Sequence, residues 1–400
     1  MTHLFLNCLG ASAGGGLTYP RNVIPLLSAR SNIRATVAAS ATLRQELGNR
    51  PNITWVELDA DHGTVLRFFQ EQTYLPRLIR RSGADILISA GNFALWKSPV
   101  PQILLSGNSL YTSADFYRDL RSRGDHRLWL DTRTKGVFAK RSVHWADETV
   151  APSRAFAQDL QRWTGVPVRS IHHGFNCETF RKSEAALPAD TQQKLDSAKG
   201  ALRLLFVSHY NYYRNFETLL RAIPLIKDRL NGRSVVLFLT CKLRSDKNPG
   251  SYRAEAAADL VQQLGIAQQV IELDAIPYHL LHHVYSACDI YVTPAYTETF
   301  AHPLVEAMAG GLPIVAADLA VHREVCGESA LYFDRFSPQD LAQQILRLEA
   351  SPDLRKALAD CSCARSREFS WEKHVDEILG LANTLARGSA EPPLKRAIAA

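Results

Sequence analysis

From Leu4 to Phe333 one pattern recurs: short, almost wholly apolar runs alternate with longer segments whose apolar residues return every three or four positions. That alternation limits the fold more than any other feature. Unbroken apolar runs suit strands covered on both faces, and strands separated by helices pair in parallel. In the first half the strand candidates are residues 4–9, 34–38, 52–56, 85–89, 101–105, 149–153 and 168–171. Val23 to Leu27 read as part of an interrupted helix, and Ser153 suits the N-cap of a helix holding Phe156 and Leu160. A more polar stretch, 181–200, contains Pro188, offers no strand and breaks the rhythm. It restarts with strand candidates at 204–207, 235–239, 270–273, 290–292, 314–315 and 331–333. The expected architecture is therefore α/β, with a Rossmann-like domain at 1–180, a connection at 181–200 and a second such domain at 201–368.

Length agrees, since 400 residues exceed the roughly 250–300 at which a single core stops growing. The 46% apolar and 22% charged content is that of an ordinary globular enzyme. No apolar run approaches the roughly 20 residues a spanning helix needs. The opening lacks a basic leader and runs into Gly14, Gly15 and Gly16, which reads as a strand and its glycine loop rather than a signal peptide. Seven cysteines, an odd number without metal-ligand spacing, point to reduced thiols and a cytoplasmic setting. The pairs His172-His173 and His282-His283 lack the i, i+4 spacing of a zinc site, so no metal is expected. A formal charge of +6 fits acidic substrates or peripheral contact with an anionic membrane and does not choose between them, while no dense basic run suggests nucleic acid. Oligomeric state is not legible.

The most informative stretch runs from Tyr296 to Asp318. Pro303 suits the first position of a helix, Leu304 to Ala309 propagate it, and Gly310-Gly311 end it before the next apolar strand. Glu298 then lies in the preceding loop and Glu306 in the first turn or just beyond. Because a helical Cα–Cβ bond tilts toward the N-terminus, Glu306 leans back toward the mouth that Glu298 borders. Amides at a helix mouth suit a phosphate, and two carboxylates beside it suit hydroxyl-rich groups on either side. Taken singly, each glutamate also reads as a solvated charge.

In combination, Glu298, Thr299, Phe300, Pro303, Glu306, Ala307, Met308, Ala309, Gly311 and Pro313 resemble the E-x7-E signature of the retaining, nucleotide-sugar-dependent glycosyltransferases of family 4, the group 1 glycosyl transferases. Ala301 stands where glycine is common and His302 at a variable position. The segment 207–220 resembles the family's donor-diphosphate segment: Arg214 matches its second cation, followed by Asn215, while His209, after Ser208, takes the place of the first. Residues 273–278 resemble the base-binding edge, with backbone near Ile276 reading the nucleobase and Tyr278 either stacking or packing. The resemblance is strong over about two-thirds of the C-terminal half and rests on pattern alone in the N-terminal half.

The resemblance implies the GT-B architecture: two Rossmann-like domains facing a cleft, acceptor side first and donor side second, a crossover helix at 369–387 returning to the N-terminal domain, and a mobile tail at 388–400. It implies a hexosyltransferase that moves a sugar from a nucleotide diphosphate, GDP-mannose or a UDP-hexose on family frequency, to a hydroxyl of a glycan, lipid-linked or small-molecule acceptor, with retention, no bound metal and no cofactor beyond that co-substrate. Arg214 and Glu298 become the catalytic residues. The expected donor set is Gly15, Gly16, Ser208, His209, Arg214, Asn215, Ile276, Glu298, Thr299, Phe300, Ala301, His302 and Glu306, with Glu298 on sugar hydroxyls, Glu306 on the ribose and Arg214 on the diphosphate. Asn108 follows the strand ending at Leu105 and either orients the acceptor or binds backbone in a turn. A GT-B nucleotide-sugar epimerase and a non-catalytic nucleotide-sugar binding protein are the alternative readings.

Overall fold

All thirteen apolar runs form strands in the computed structural model of the chain. It describes all residues except 12–14, 59–62, 231, 249–251 and 389–400. The expected mobile tail, apart from Gly388, lies outside the described residues.

Two compact units emerge, one comprising residues 1–113, 129–174 and 370–400, the other 114–128 and 175–369. The first is built on a sheet of seven parallel strands: β1 (Thr2–Asn7), β2 (Ile33–Ala39), β3 (Ile53–Glu57), β4 (Ile86–Ala90), β5 (Gln102–Leu105), β6 (Glu148–Ala151) and β7 (Arg169–Ser170), in the order β3-β2-β1-β4-β5-β6-β7. Residues of β1 and β4 such as Leu4, Phe5, Ile86 and Leu87 are fully buried, as strands covered by helices on both faces require. The last helix, Trp371–Ala386, belongs to this unit. Its Trp371, Val375, Ile378, Leu379 and Ala382 join the core on β1 and β2, and Asn383 accepts a hydrogen bond from the Thr2 hydroxyl at 2.7 Å. The chain can reach that helix only over a glycine: a Cβ on Gly174 would lie 2.0 Å from the Trp371 backbone nitrogen.

The second unit carries six parallel strands, β8 (Leu202–Phe206), β9 (Val235–Leu239), β10 (Val270–Glu272), β11 (Ile290–Thr293), β12 (Ile314–Ala317) and β13 (Ala330–Phe333), in the order β10-β9-β8-β11-β12-β13. Every residue of β9, β11 and β12 is buried, whereas the edge strand β10 is only partly covered. The stretch 181–200, read as a connection, holds a helix, Ala189–Ser197, and groups with this unit. So does the segment 114–128, which the sequence pattern assigns to the first half.

Both sheets reverse their strand order once, between β1 and β4 and between β8 and β11. Loops leaving the carboxyl ends of such a pair diverge and open a crevice, the usual ligand position in open α/β sheets. The segments following β8 and β11 are those read as the diphosphate and E-x7-E motifs.

Candidate functional site

Around the β8–β11 reversal the chain ties two loops together before it places any charge. Past β8, the Ser208 amide donates to the Thr240 hydroxyl at 3.1 Å and the Ser208 hydroxyl to the His209 carbonyl at 2.7 Å. A short 3-10 turn, Tyr212–Arg214, follows, and Asn215 adopts a left-handed conformation (φ 55°) that an asparagine tolerates. Its side-chain amide donates to the Pro294 carbonyl just past β11 at 3.1 Å and to the Arg335 carbonyl at 2.6 Å. The Tyr296 amide returns the link by donating to the Tyr213 carbonyl at 3.1 Å.

This stitching brings Arg214 and Glu298 into a direct ion pair, though 84 residues separate them. Both are sheltered, with side chains 19% and 9% exposed. Burial works against the charge of Arg214, but the Glu298 carboxylate overcomes that penalty and holds the guanidinium firmly protonated. Glu298 also accepts the Thr299 amide at 3.1 Å. The reading of Glu298 as a solvated loop charge does not survive this geometry. His209 reaches solvent, yet partial burial and then the Arg214 charge lower its pKa, so near neutral pH it is an uncharged donor or acceptor in the free protein.

The helix after Glu298 spans His302–Gly310, placing Pro303 second rather than first, and Gly311 caps it in the left-handed region at φ 71°. Ala301 is the N-cap and has φ 65°, a conformation that costs a residue with a Cβ about 1–2 kcal/mol. Glycine would relieve that strain but loses about 0.5–1 kcal/mol more backbone freedom on folding. Ala301→Gly should therefore raise the unfolding free energy modestly, by up to about 1 kcal/mol in urea titration.

Glu306 lies one turn further in and is only 6% exposed, against the reading of a solvated helix residue. Its carboxylate accepts a hydrogen bond from the Tyr285 hydroxyl at 2.9 Å. Burial raises its pKa to about 7, and the Tyr285 hydrogen bond only partly opposes the rise. Phe300 is packed away, 1% exposed, with its ring 5.0 Å from His302 and 5.4 Å from Phe369. Ile276 lies half-buried in the loop after β10, at the edge of the sheet, and Tyr278 in the following turn is 54% exposed with its ring 5.6 Å from Phe180.

Thus Ser208, His209, Arg214, Asn215, Glu298, Thr299, Phe300, Ala301, His302 and Glu306 belong to the loops and helix leaving β8 and β11. Ile276 lies on the same unit but past β10, and the other expected residues, Gly15, Gly16 and Asn108, fall in the first unit. Gly15 and Gly16 open the helix Gly15–Ser28 past β1, while the Ala13-Gly14 part of that glycine loop lies outside the described residues. Asn108 caps the turn Ser109–Tyr111, its Oδ1 accepting the Leu110 amide at 3.0 Å, which is the turn role.

Several participants have no sequence signature. His322, fully buried on the helix Ala320–Cys326, feels the charges of Glu298 and Arg214; its Nδ1 meets the Ala317 carbonyl at 2.7 Å and its Nε2 has no hydrogen-bond partner among the described residues. The segment 114–128 braces both loops from behind. Asp119 accepts the Tyr296 hydroxyl at 2.8 Å and the Arg123 guanidinium at 2.7 Å; Arg123 in turn pairs with Glu217 at 2.8 Å and stacks 4.3 Å over Tyr212. Asp115 holds Arg335, whose carbonyl receives Asn215. Asp119→Ala strands the Tyr296 hydroxyl and should destabilise the second unit by about 1–3 kcal/mol, measured by urea unfolding, with Asp119→Asn losing less. A recess on the same unit, lined by Cys288, Asp289, Pro313, Arg355 and Lys356 among others, lies at the amino ends of β11 and β12, away from this site.

The sequence matches two family profiles: "Glycosyltransferase Family 4" over residues 14–179 and "Glycosyl transferases group 1" over residues 189–362. It is 29% identical over 245 residues to a D-inositol 3-phosphate glycosyltransferase of Thermomonospora curvata, covering 58% of this chain and 56% of that protein. To the Streptosporangium roseum protein of the same name it is 30% identical over 237 residues, covering 57% and 53%. The matched regions thus span about half the length of these curated relatives. Among solved structures, the sucrose-phosphate synthase of Thermosynechococcus elongatus superposes with a TM-score of 0.75 at 18% identity, covering 97% of this chain and all of that one. HepE of Anabaena, solved with UDP-glucose, does so with a TM-score of 0.71 at 14% identity, covering 96% and 100%. At those identities the structures speak for the fold alone, which is GT-B. With both profiles matched in sequence over most of its length, the chain belongs to the GT-B group 1 glycosyltransferases, of the family 4 kind.

Proposed function

We propose that the protein transfers a hexose from a nucleoside diphosphate to a hydroxyl acceptor, with retention of anomeric configuration and without a bound metal. The observation that carries this reading is the sheltered Arg214–Glu298 pair at the β8–β11 reversal, with the buried Glu306 on the helix that follows Glu298. A guanidinium there suits the donor diphosphate and stabilises the charge that grows on the leaving phosphate. Glu298, anchored by Arg214 and the Thr299 amide, is placed to accept sugar hydroxyls, and ionised Glu306 to accept those of the ribose. In the retaining step the bond from the anomeric carbon to phosphate breaks, the acceptor oxygen bonds the same face, and its proton passes to the departing phosphate oxygen.

Two of the names above support a choice among substrates within this proposal. UDP-glucose bound to the Anabaena structure favours a uridine donor over the GDP-mannose alternative, and the relatives' name favours a phosphorylated polyol such as an inositol phosphate as acceptor. Seven unpaired cysteines suit the cytoplasm, where thiols stay reduced.

The test is incubation of the purified chain with UDP-, GDP- and ADP-hexoses, with and without inositol phosphate, followed by proton NMR of the product. The expected result is an acceptor-dependent glycoside with the donor's anomeric configuration. Donor conversion without acceptor would mark an epimerase, and binding without turnover a non-catalytic protein; either outcome contradicts the proposal.

A further inference from the structure

One outward face of the first unit carries a load of apolar side chains that sugar transfer does not explain. At the start of the helix Thr64–Ser82, Leu66 and Phe69 are 54% and 52% exposed, with Val65 beside them. The neighbouring helix, His126–Trp145, packs against this turn through Phe138, whose ring lies 4.8 Å from Phe68 and 6.0 Å from Phe69. Val137, next to Phe138, is again exposed. Trp96, 65% exposed, extends the face: its ring lies 6.4 Å from Trp145 and its amide is held by the Gln72 side chain at 2.7 Å. Leu66, Phe69 and Val137 protrude from helices beside an aromatic cluster of Phe68, Phe93 and Tyr111, and Trp96 from a turn between β4 and β5.

The two helices are predominantly basic. The first helix carries four arginines against a single acid, Glu71, which is buried and paired with Arg67; the second carries five Lys or Arg residues against Asp131 alone. The two helices together hold a positive excess at least as large as the formal +6 of the whole chain. Lys97 sits 5.2 Å over the Trp96 ring, and exposed Arg141 follows Val137 by one helical turn. A tryptophan with leucine, phenylalanine and valine inside a basic surround is the composition that lies in a bilayer interface, rings and aliphatic tips at the acyl boundary and cations at lipid phosphates. A second copy of the chain would bring like charges together, and a nucleic acid would leave the aliphatic tips without a partner.

We propose that this face docks the protein on anionic bilayers, with Leu66, Phe69, Trp96 and Val137 entering the headgroup boundary and Lys97 and Arg141 meeting lipid phosphates. The inference goes beyond the sugar-transfer reading and stands independently of it, because its test uses no nucleotide sugar. The full chain is sedimented with vesicles of phosphatidylcholine alone and with vesicles containing about 30% phosphatidylglycerol, a strongly anionic surface. Co-sedimentation is expected only with the anionic vesicles, and roughly tenfold weaker binding for Leu66→Ser/Phe69→Ser/Trp96→Ser, a loss of that order following from the apolar area withdrawn. Lys97→Glu/Arg141→Glu should weaken binding similarly and flatten its salt dependence. Thermal unfolding and nucleotide binding of both variants should match the parent, which separates lost docking from lost folding. Failure of the parent to bind anionic vesicles, undiminished binding by the triple-serine variant, or a soluble dimer that the triple-serine variant abolishes would each overturn the proposal.

Discussion

Replacing Arg214 with alanine should lower kcat/KM for the proposed sugar transfer about 100- to 1000-fold, the range expected when one preorganised donor to a developing oxyanion is removed. The effect is large because the guanidinium is fixed before the donor arrives. Its partner Glu298 is only 9% exposed, and the turn that carries it is tied to the β11 loop by Asn215 and by the Tyr296 amide. Lysine should restore little, since a single ammonium cannot keep one face on Glu298 and offer another to a diphosphate. Glu298→Gln separates the two roles: it keeps hydrogen bonding to Thr299 out of the charge balance, and should reduce turnover while leaving nucleoside diphosphate affinity closer to the parent. Steady-state kinetics with circular dichroism as a check on folding measure both.

The second large effect is a pH dependence set by Glu306. Its pKa in the folded chain is about 7, raised from an ordinary value of 4.5 by burial. Below the ordinary value the group is protonated whether folded or not and contributes no pH dependence. Between the two values the folded state holds the proton more tightly, so stability falls as pH rises, by about 1.4 kcal/mol per unit and about 3 kcal/mol in all. Above pH 7 that cost is fully present. Glu306→Gln should therefore be more stable than the parent at pH 8 and no more stable at pH 4, as read by urea unfolding at the two pH values. Ribose hydroxyls need the ionised carboxylate as acceptor, so donor affinity should run the other way and rise about tenfold from pH 6 to pH 8 in the parent. In Glu306→Gln the affinity should be weaker and nearly flat with pH. A parent affinity independent of pH would remove Glu306 from the ribose role.

Much of the fold was legible because a parallel strand buried on both faces leaves an unbroken apolar run. Every expected run became a strand, with ends shifted by a few residues. The loop-to-helix motif was equally legible: Gly310 and Gly311 end the helix as their backbone freedom suggests, and Glu298 and Arg214 meet as two parts of one family pattern. Burial of Glu306 was not, because its hydroxyl partner, Tyr285, stands 21 residues earlier on a different helix and leaves no trace in local spacing. Nor was the brace of Asp115, Asp119 and Arg123. Nothing in their local sequence marks those residues, and only the tertiary fold shows that Asp119 reaches Tyr296 across 177 residues. His322 was hidden for a similar reason, since its place beside the Arg214–Glu298 charges depends on how β12 delivers the following helix. In each case local periodicity reports which face is buried but not which polar group waits there.

The proposed function requires a nucleoside diphosphate to be held by Arg214 in the second unit. Calorimetric titration of UDP and GDP into the parent chain and into Arg214→Ala, at pH 8 where Glu306 is ionised, tests this most directly. Saturable binding of one of the two nucleotides by the parent, weakened at least about 100-fold in the variant, is the predicted result. No binding of either nucleotide, or equal affinity in both proteins, would contradict it.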